Sequence, residues 1–144
     1  MYIPNRTAIF VVTIIVACST FYCGRHHRPA DLDTKDIEPT PGFLFTDTMS
    51  GTILKSTNAE SIGEKLTFIG LSSSSPRVNF YGTGVTSPMQ KLNETEHSVV
   101  LQLFTGGSFD TFIINKKSGL FTRTYCGTMP GDDLYSGCAI GICK

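Results

Sequence analysis

Over residues 43–144 no stretch keeps apolar side chains at helical spacing; they fall in short blocks, each closed by Gly, Ser, Asn or Pro. That punctuation is the tightest constraint on the fold, because a helix needs an apolar stripe with a period of about 3.6 residues. The blocks 65–71 (KLTFIGL), 77–81 (RVNFY), 98–105 (SVVLQLFT), 109–115 (FDTFIIN), 120–126 (LFTRTYC) and 133–140 (DLYSGCAI) have strand length and are rich in β-branched or aromatic residues. Leu66 with Phe68, Val78 with Phe80, and Val99 with Leu101 and Leu103 each keep one parity, so each set faces one side of a sheet. Shorter blocks at 43–45 and 52–54 are weaker strand candidates, and 58–64 (NAESIGE) suits one helical turn.

The connectors set the order of these strands. Gly106-Gly107 supplies two residues able to take positive φ, as a tight hairpin requires. Residues 115–119 (NKKSG) form a second hairpin loop, with Gly119 at the left-handed position. Met129-Pro130-Gly131-Asp132 has the Pro-Gly order of a type II turn, and 72–76 (SSSSP) ends a strand. Strands joined by loops this short pair antiparallel, because parallel pairing needs a long crossover. The expected fold is therefore all-β: an antiparallel meander of six to eight strands. With no helix to cover its apolar face, the sheet must curl or close into a small barrel. In architecture alone this is similar to lipocalin-like and lysozyme-inhibitor-like barrels.

The amino-terminal part has a different character. Arg6 and the terminal amine are followed by ten mostly apolar residues, 8–17 (AIFVVTIIVA), the length of a signal-peptide core and too short to span a bilayer. Ile15-Val16-Ala17-Cys18 then resembles the lipobox of bacterial lipoprotein precursors. That resemblance implies a diacylglyceryl thioether on Cys18, cleavage after Ala17 and acylation of the new terminus. It divides the chain into a signal peptide (1–17), a lipidated terminus with a flexible linker (18–42) and a β-domain (43–144). Fatty chains contribute about 0.8 kcal/mol per buried methylene, so several of them hold a protein on a membrane. Two other readings of the segment stay open: cleavage after Ser19 with a soluble secreted product, and an uncleaved anchor. The expected location is the cell envelope, lipid-anchored at the outer membrane or on the periplasmic face, with secretion as the alternative.

Residues 24–42 hold Pro29, Pro39 and Pro41 with charges of both signs and no apolar period, the composition of a solvated tether. Arg25, His26, His27 and Arg28 cluster where anionic headgroups would lie. Cys23, His26 and His27 offer three metal ligands, one short of a structural site, so no metal is expected. The chain has 12 basic and 12 acidic residues, with eight of each in 43–144, and so lacks the basic footprint of a nucleic-acid binder.

Five cysteines suit an oxidising compartment. With Cys18 lipidated, Cys23, Cys126, Cys138 and Cys143 remain as disulfide candidates, with three connectivities. Cys126 and Cys138 flank the Met129–Asp132 turn at nearly matched distances, which favours a bridge between them. Cys138–Cys143 and Cys126–Cys143 are the alternatives.

No catalytic constellation emerges. His97, Asp110 and the serines lack a nucleophile-elbow setting. Asp132-Asp133 is too few ligands for calcium, and Tyr81-Gly82-Thr83-Gly84 lacks the strand–turn–helix setting of a phosphate loop. Asn93-Glu94-Thr95 is a glycosylation acceptor only in a eukaryotic host. The chain is not expected to be an enzyme or to hold a cofactor. The leading expectation is a membrane-anchored lipoprotein with a binding or envelope-structural role. Its lipid contact is through Cys18, and a protein or glycan partner meets the polar segment 82–97; a hydrolase inhibitor is one version. The alternative is a small apolar-ligand carrier.

Overall fold

The computed structural model describes residues 32–81, 83–128 and 134–144, all within the unit Leu32–Lys144. The strands are β1 (Met49–Ser56), β2 (Lys65–Ile69), β3 (Arg77–Phe80), β4 (Val85–Pro88), β5 (Gln90–Glu94), β6 (Ser98–Thr105), β7 (Ser108–Asn115), β8 (Leu120–Thr128) and β9 (Leu134–Cys143). They form one antiparallel sheet in the order β4-β3-β2-β1-β9-β8-β7-β6-β5. The first and last strands pair, Gly51 opposite Cys143 and Ser56 opposite Ala139. The two edge strands are themselves consecutive in sequence, separated only by the buried Met89. The result is a nearly closed up-and-down barrel. Nine strands exceed the six to eight expected by one, and β4 with β5 act as a single strand bent at Met89.

The bend leaves a seam. β6 pairs with β5 only as far as Gln102, so Leu103–Thr105 and β4 face each other unpaired. The Met89 N–H donates to the Pro76 carbonyl at 2.7 Å, which sets the hydrogen-bonded pairs of the ladder at 76/89 and 78/87. The outward-facing N–H positions of β4 are then Thr86 and Pro88, and proline has none to offer. Pro88 thereby blunts an open sheet edge that would otherwise template strand addition.

The turn chemistry read from the sequence is realised. Gly106 and Gly107 take φ of 43° and 102° between Thr105 and Ser108, which pair directly. Asn115 Oδ1 accepts from the N–H groups of Lys117 and Ser118, and Gly119 takes φ of 73°. The helical turn is a short 3-10 segment, Ala59–Ser61, capped by Asn58, whose Oδ1 accepts from Glu60 N at 3.1 Å. Residues 43–45 are not a strand; Phe43 and Phe45 instead pack on the core. The turn at 129–132 lies outside the described residues.

Inside the barrel Phe68 meets Phe112 and Phe121 edge-on, at centroid distances of 5.3 and 5.6 Å. We call upper the end carrying the β1–β2, β3–β4 and β6–β7 connections and the end of β8; the other end is lower. Met49, Leu71, Val99, Ile114 and Cys143 fill the lower interior, with Phe43 and Phe45 packed against the core. Residues 32–42, expected as the end of a solvated tether, lie along the barrel. Lys55 Nζ donates to the Asp33 carbonyl at 2.6 Å, Ile37 is buried, and Thr40 Oγ1 donates to the Cys143 carbonyl at 3.2 Å.

Candidate functional site

The two ends of the barrel differ in chemistry, and the difference follows from strand parity. On β8 Phe121, Arg123 and Tyr125 share the inward face; on β7 Asp110 shares it with Phe112 and Ile114. Arg123 and Asp110 therefore meet inside the upper half. Arg123 Nε donates to Asp110 Oδ1 at 2.8 Å, and its Nη1 lies 3.3 Å from Glu64 Oε2. The guanidinium also sits 4.9 Å from the Phe80 ring centroid and 5.0 Å from that of Tyr125. The Arg123 and Asp110 side chains are only 15% and 10% exposed, while Glu64, at 29%, reaches the surface. A buried charge pair of this kind holds together because each carboxylate has a donor and the cation lies against ring faces.

Above this cluster lies an open groove of about 630 Å³ lined by Asn58, Glu60, Ser61, Glu64, Lys65 and Tyr81. Glu64 belongs to both groove and cluster. Tyr135 stacks tilted on Tyr125 at 6.3 Å, and Gly137 leaves room for the Tyr125 hydroxyl, which any Cβ there would strike. The mouth is thus polar at its centre and aromatic at its walls, an arrangement that suits non-covalent contact.

The lower end is pinned from outside. Glu94 accepts from Lys116 at 2.6 Å and from Lys91 at 2.7 Å, and Lys116 lies 5.0 Å from the Phe45 ring centroid. The Lys116 and then the Lys91 hydrogen bonds hold the Glu94 carboxyl below its ordinary value. Asp47 accepts from the hydroxyl and the N–H of Ser72, which lowers its carboxyl in the same way.

The sequence candidates distribute as follows. His97 is in the lower loop, 2.7 Å from Glu96, and Asp110 is in the upper interior, so the two share no site. Residues 82–97, expected as a contact loop, are mainly the two strands β4 and β5. Asn93 and Glu94 end β5 and Thr95 follows it, and Tyr81, Thr83 and Gly84 turn from β3 into β4. Among the described residues no three His, Cys, Asp or Glu side chains are grouped to hold a metal ion. None of the described helices is long and apolar enough to cross a membrane. Cys18, Cys23, the 25–28 cluster, Asp132 and Asp133 lie outside the described residues.

For the cysteines the strand register is decisive. Cys143 is a free thiol, fully buried and inward-facing. It lies five residues beyond Cys138 on β9, about 16 Å away at strand rise. Cys126 lies opposite Ser136, farther still. A disulfide needs Cα atoms within about 7 Å, and the strand register keeps Cys143 beyond that reach of both Cys138 and Cys126. Cys126 and Cys138 share the outward face diagonally, because Cys138 lies opposite Thr124. Burial pushes the Cys143 thiol up from 9.0 to about 12.

That thiol gives a measurable pH dependence. The folded pKa is raised, so its contribution is intact below about pH 9 and is lost as pH climbs to about 12. In that window wild-type stability falls more steeply than that of Cys143→Ala, by about 1.4 kcal/mol per pH unit. Parallel curves in alkaline urea titrations would refute this. Native protein is also expected to protect Cys143 from iodoacetamide, as peptide mapping reads directly.

The groove residues were not foreseen. Glu64 and Lys65 are adjacent in sequence, whereas Tyr81 comes sixteen residues after Lys65. The pairing of β2 with β3 brings them together, with the Tyr81 N–H donating to the Lys65 carbonyl at 3.0 Å. Comparison of the chain with protein-family models, curated proteins and solved structures gives no match.

Proposed function

We propose that the chain is an exported lipoprotein, anchored through Cys18, whose barrel serves a binding or envelope-structural role through its upper mouth. The observation that carries this is the polarity of the barrel's ends. One end is packed with apolar side chains, and the other presents an open polar groove over the Arg123 cluster. Ligand sites in small barrels occupy the mouth for this reason: the strands hold the rim rigid while loops supply the contacts. The described residues bring together no nucleophile, base and acid, which favours contact over chemistry. The Phe68–Phe112–Phe121 packing favours a filled interior over the carrier alternative, since eight-stranded barrels are narrow enough for side chains to fill.

Intact mass of the membrane-extracted protein tests the anchor. Wild type is expected to lack residues 1–17 and to carry acyl chains, and Cys18→Ser to lack both changes. Equal fatty-acid incorporation in both proteins, or a terminus at Thr20, overturns it. The same spectrum reads whether Cys126 and Cys138 are oxidised, the pairing an exported location favours.

A further inference from the structure

Most of the exposed large apolar side chains gather at one end, although Leu44, the most exposed, lies at the other. Five of the nine among the described residues ring the upper mouth: Ile62, Tyr81, Val85, Phe104 and Leu134. They come from four separate places in the chain: the β1–β2 connection, the β3–β4 turn with the start of β4, the end of β6 and the start of β9. Tyr81, Phe104 and Leu134 are each at least 65% exposed. Isolated exposed apolar residues need no explanation, but a ring of them on one end of a barrel marks a contact surface.

We infer that this rim rests on the lipid bilayer that carries the anchor, so that the membrane surface is the partner of the mouth. The inference rests on the lipoprotein reading above. What selects the bilayer is where the described chain begins. Asp33 is held by Lys55, near the upper end of β1, by a 2.6 Å hydrogen bond to its carbonyl and a 3.7 Å contact from Lys55 Nζ to Asp36. Fifteen residues, from Cys18 to Leu32, precede Asp33. A coil-like linker of that length has a root-mean-square span of about 20 Å. The barrel strands run up to about 33 Å, ten residues at strand rise, so a segment that enters beside Lys55 reaches the upper end more readily than the lower. The described chain therefore begins near the end of the barrel that carries the apolar rim. The rim chemistry fits an interface: Tyr and Phe with short aliphatic side chains settle at headgroup depth, with the polar groove between them still solvated. Charge is not the attraction, since Glu60 and Glu64 offset Lys65 and the buried Arg123.

The chain contains no Trp, so a single introduced indole reports its own environment. Tyr81→Trp and Phe104→Trp place it on the rim, and Leu44→Trp places it at the 75%-exposed lower control position. The full chain is reconstituted into phosphatidylcholine vesicles with brominated acyl chains. The rim reporters are expected to shift blue and to lose about half their fluorescence to bromine, as a ring settled at the headgroup–acyl boundary does. Leu44→Trp is expected to lose little. Rim reporters quenched no more than Leu44→Trp, in protein whose mass shows the acyl chains, overturn the rim inference alone and leave the ring to a protein partner. No quenching and no acyl mass overturn both. Rim quenching without acyl mass overturns the anchor but keeps the rim on the bilayer.

Discussion

Arg123→Met is expected to lower the unfolding free energy by about 3–5 kcal/mol, the largest single effect of any polar residue in the domain. The size comes from what the substitution leaves behind. Asp110 is 10% exposed and its oxygen faces Arg123 Nε, so the variant strands a carboxylate in the barrel interior. Glu64 is better placed to recover water, because its side chain is 29% exposed and lines the groove. Arg123→Lys restores charge but not the fork that reaches two carboxylates, and should recover only part of the loss. The double variant Arg123→Met with Asp110→Leu removes both buried charges and is expected to regain most of the stability, since exchanging a whole buried pair for apolar groups is often neutral. The contrast within the molecule is Lys91→Met. Its partner Glu94 is 35% exposed and keeps Lys116, so the cost stays below about 1 kcal/mol. Urea denaturation of the four proteins with unchanged m-values settles the order. A loss under about 1 kcal/mol for Arg123→Met would mean that water already reaches the cluster.

That cluster was partly legible before the fold was known. Arg123 stands between Phe121 and Tyr125 at core parity, and Asp110 stands at the parity of Phe112 and Ile114 on the preceding strand. Two opposite charges on the inward faces of neighbouring strands is a signal that sequence carries. Its third member, Glu64, was hidden, because it lies in the β1–β2 connection and arrives only through pairing of β1 with β2. The same physics separates the strands that could be read from those that could not. β7 buries alternate side chains, and β6 keeps Val99, Leu101 and Leu103 at one parity, so both announce themselves by period. β4 and β5 have few buried side chains of their own, and their extended form comes from pairing with β3 and β6. A polar segment that is a strand only because its neighbours are strands has no periodicity to show. β1 falls between these cases: only 52–54 stands out, since Ser50, Thr52 and Lys55 dilute the pattern of Met49, Gly51 and Ile53. The loop expected over residues 82–97 is mainly strand for the same reason. Residues 82–97 are polar as exposed strands are, whereas the mouth is assembled from short connections and strand ends whose proximity is purely tertiary.

Phe121→Ala should cost about 3–5 kcal/mol, because the ring is 1% exposed and packs edge-on against Phe68. The reason that no neighbour can collapse into the space lies in two glycines. Phe121 is paired directly with Gly141 on β9, and Gly51 approaches from β1 on the other side. A Cβ at Gly51 would come 2.9 Å from the Phe121 ring. One at Gly141 would strike the ring and stand 2.5 Å from the Thr52 carbonyl. These glycines are required by close approach, since neither is among those with positive φ. Gly141→Ala is therefore expected to destabilise by about 1–3 kcal/mol through overpacking, although alanine suits a strand better than glycine does. The sharper test is their coupling. Phe121→Leu shortens the side chain that the methyl added by Gly141→Ala would strike, so the double variant should cost less than the sum of the singles by about 1 kcal/mol. Gly51→Ala, which also meets Leu66 at 3.2 Å, should couple to Phe121→Leu more weakly. Strict additivity in thermal or urea unfolding would show that the ring turns aside freely, and that the seam where β1 closes on β9 is looser than its geometry requires.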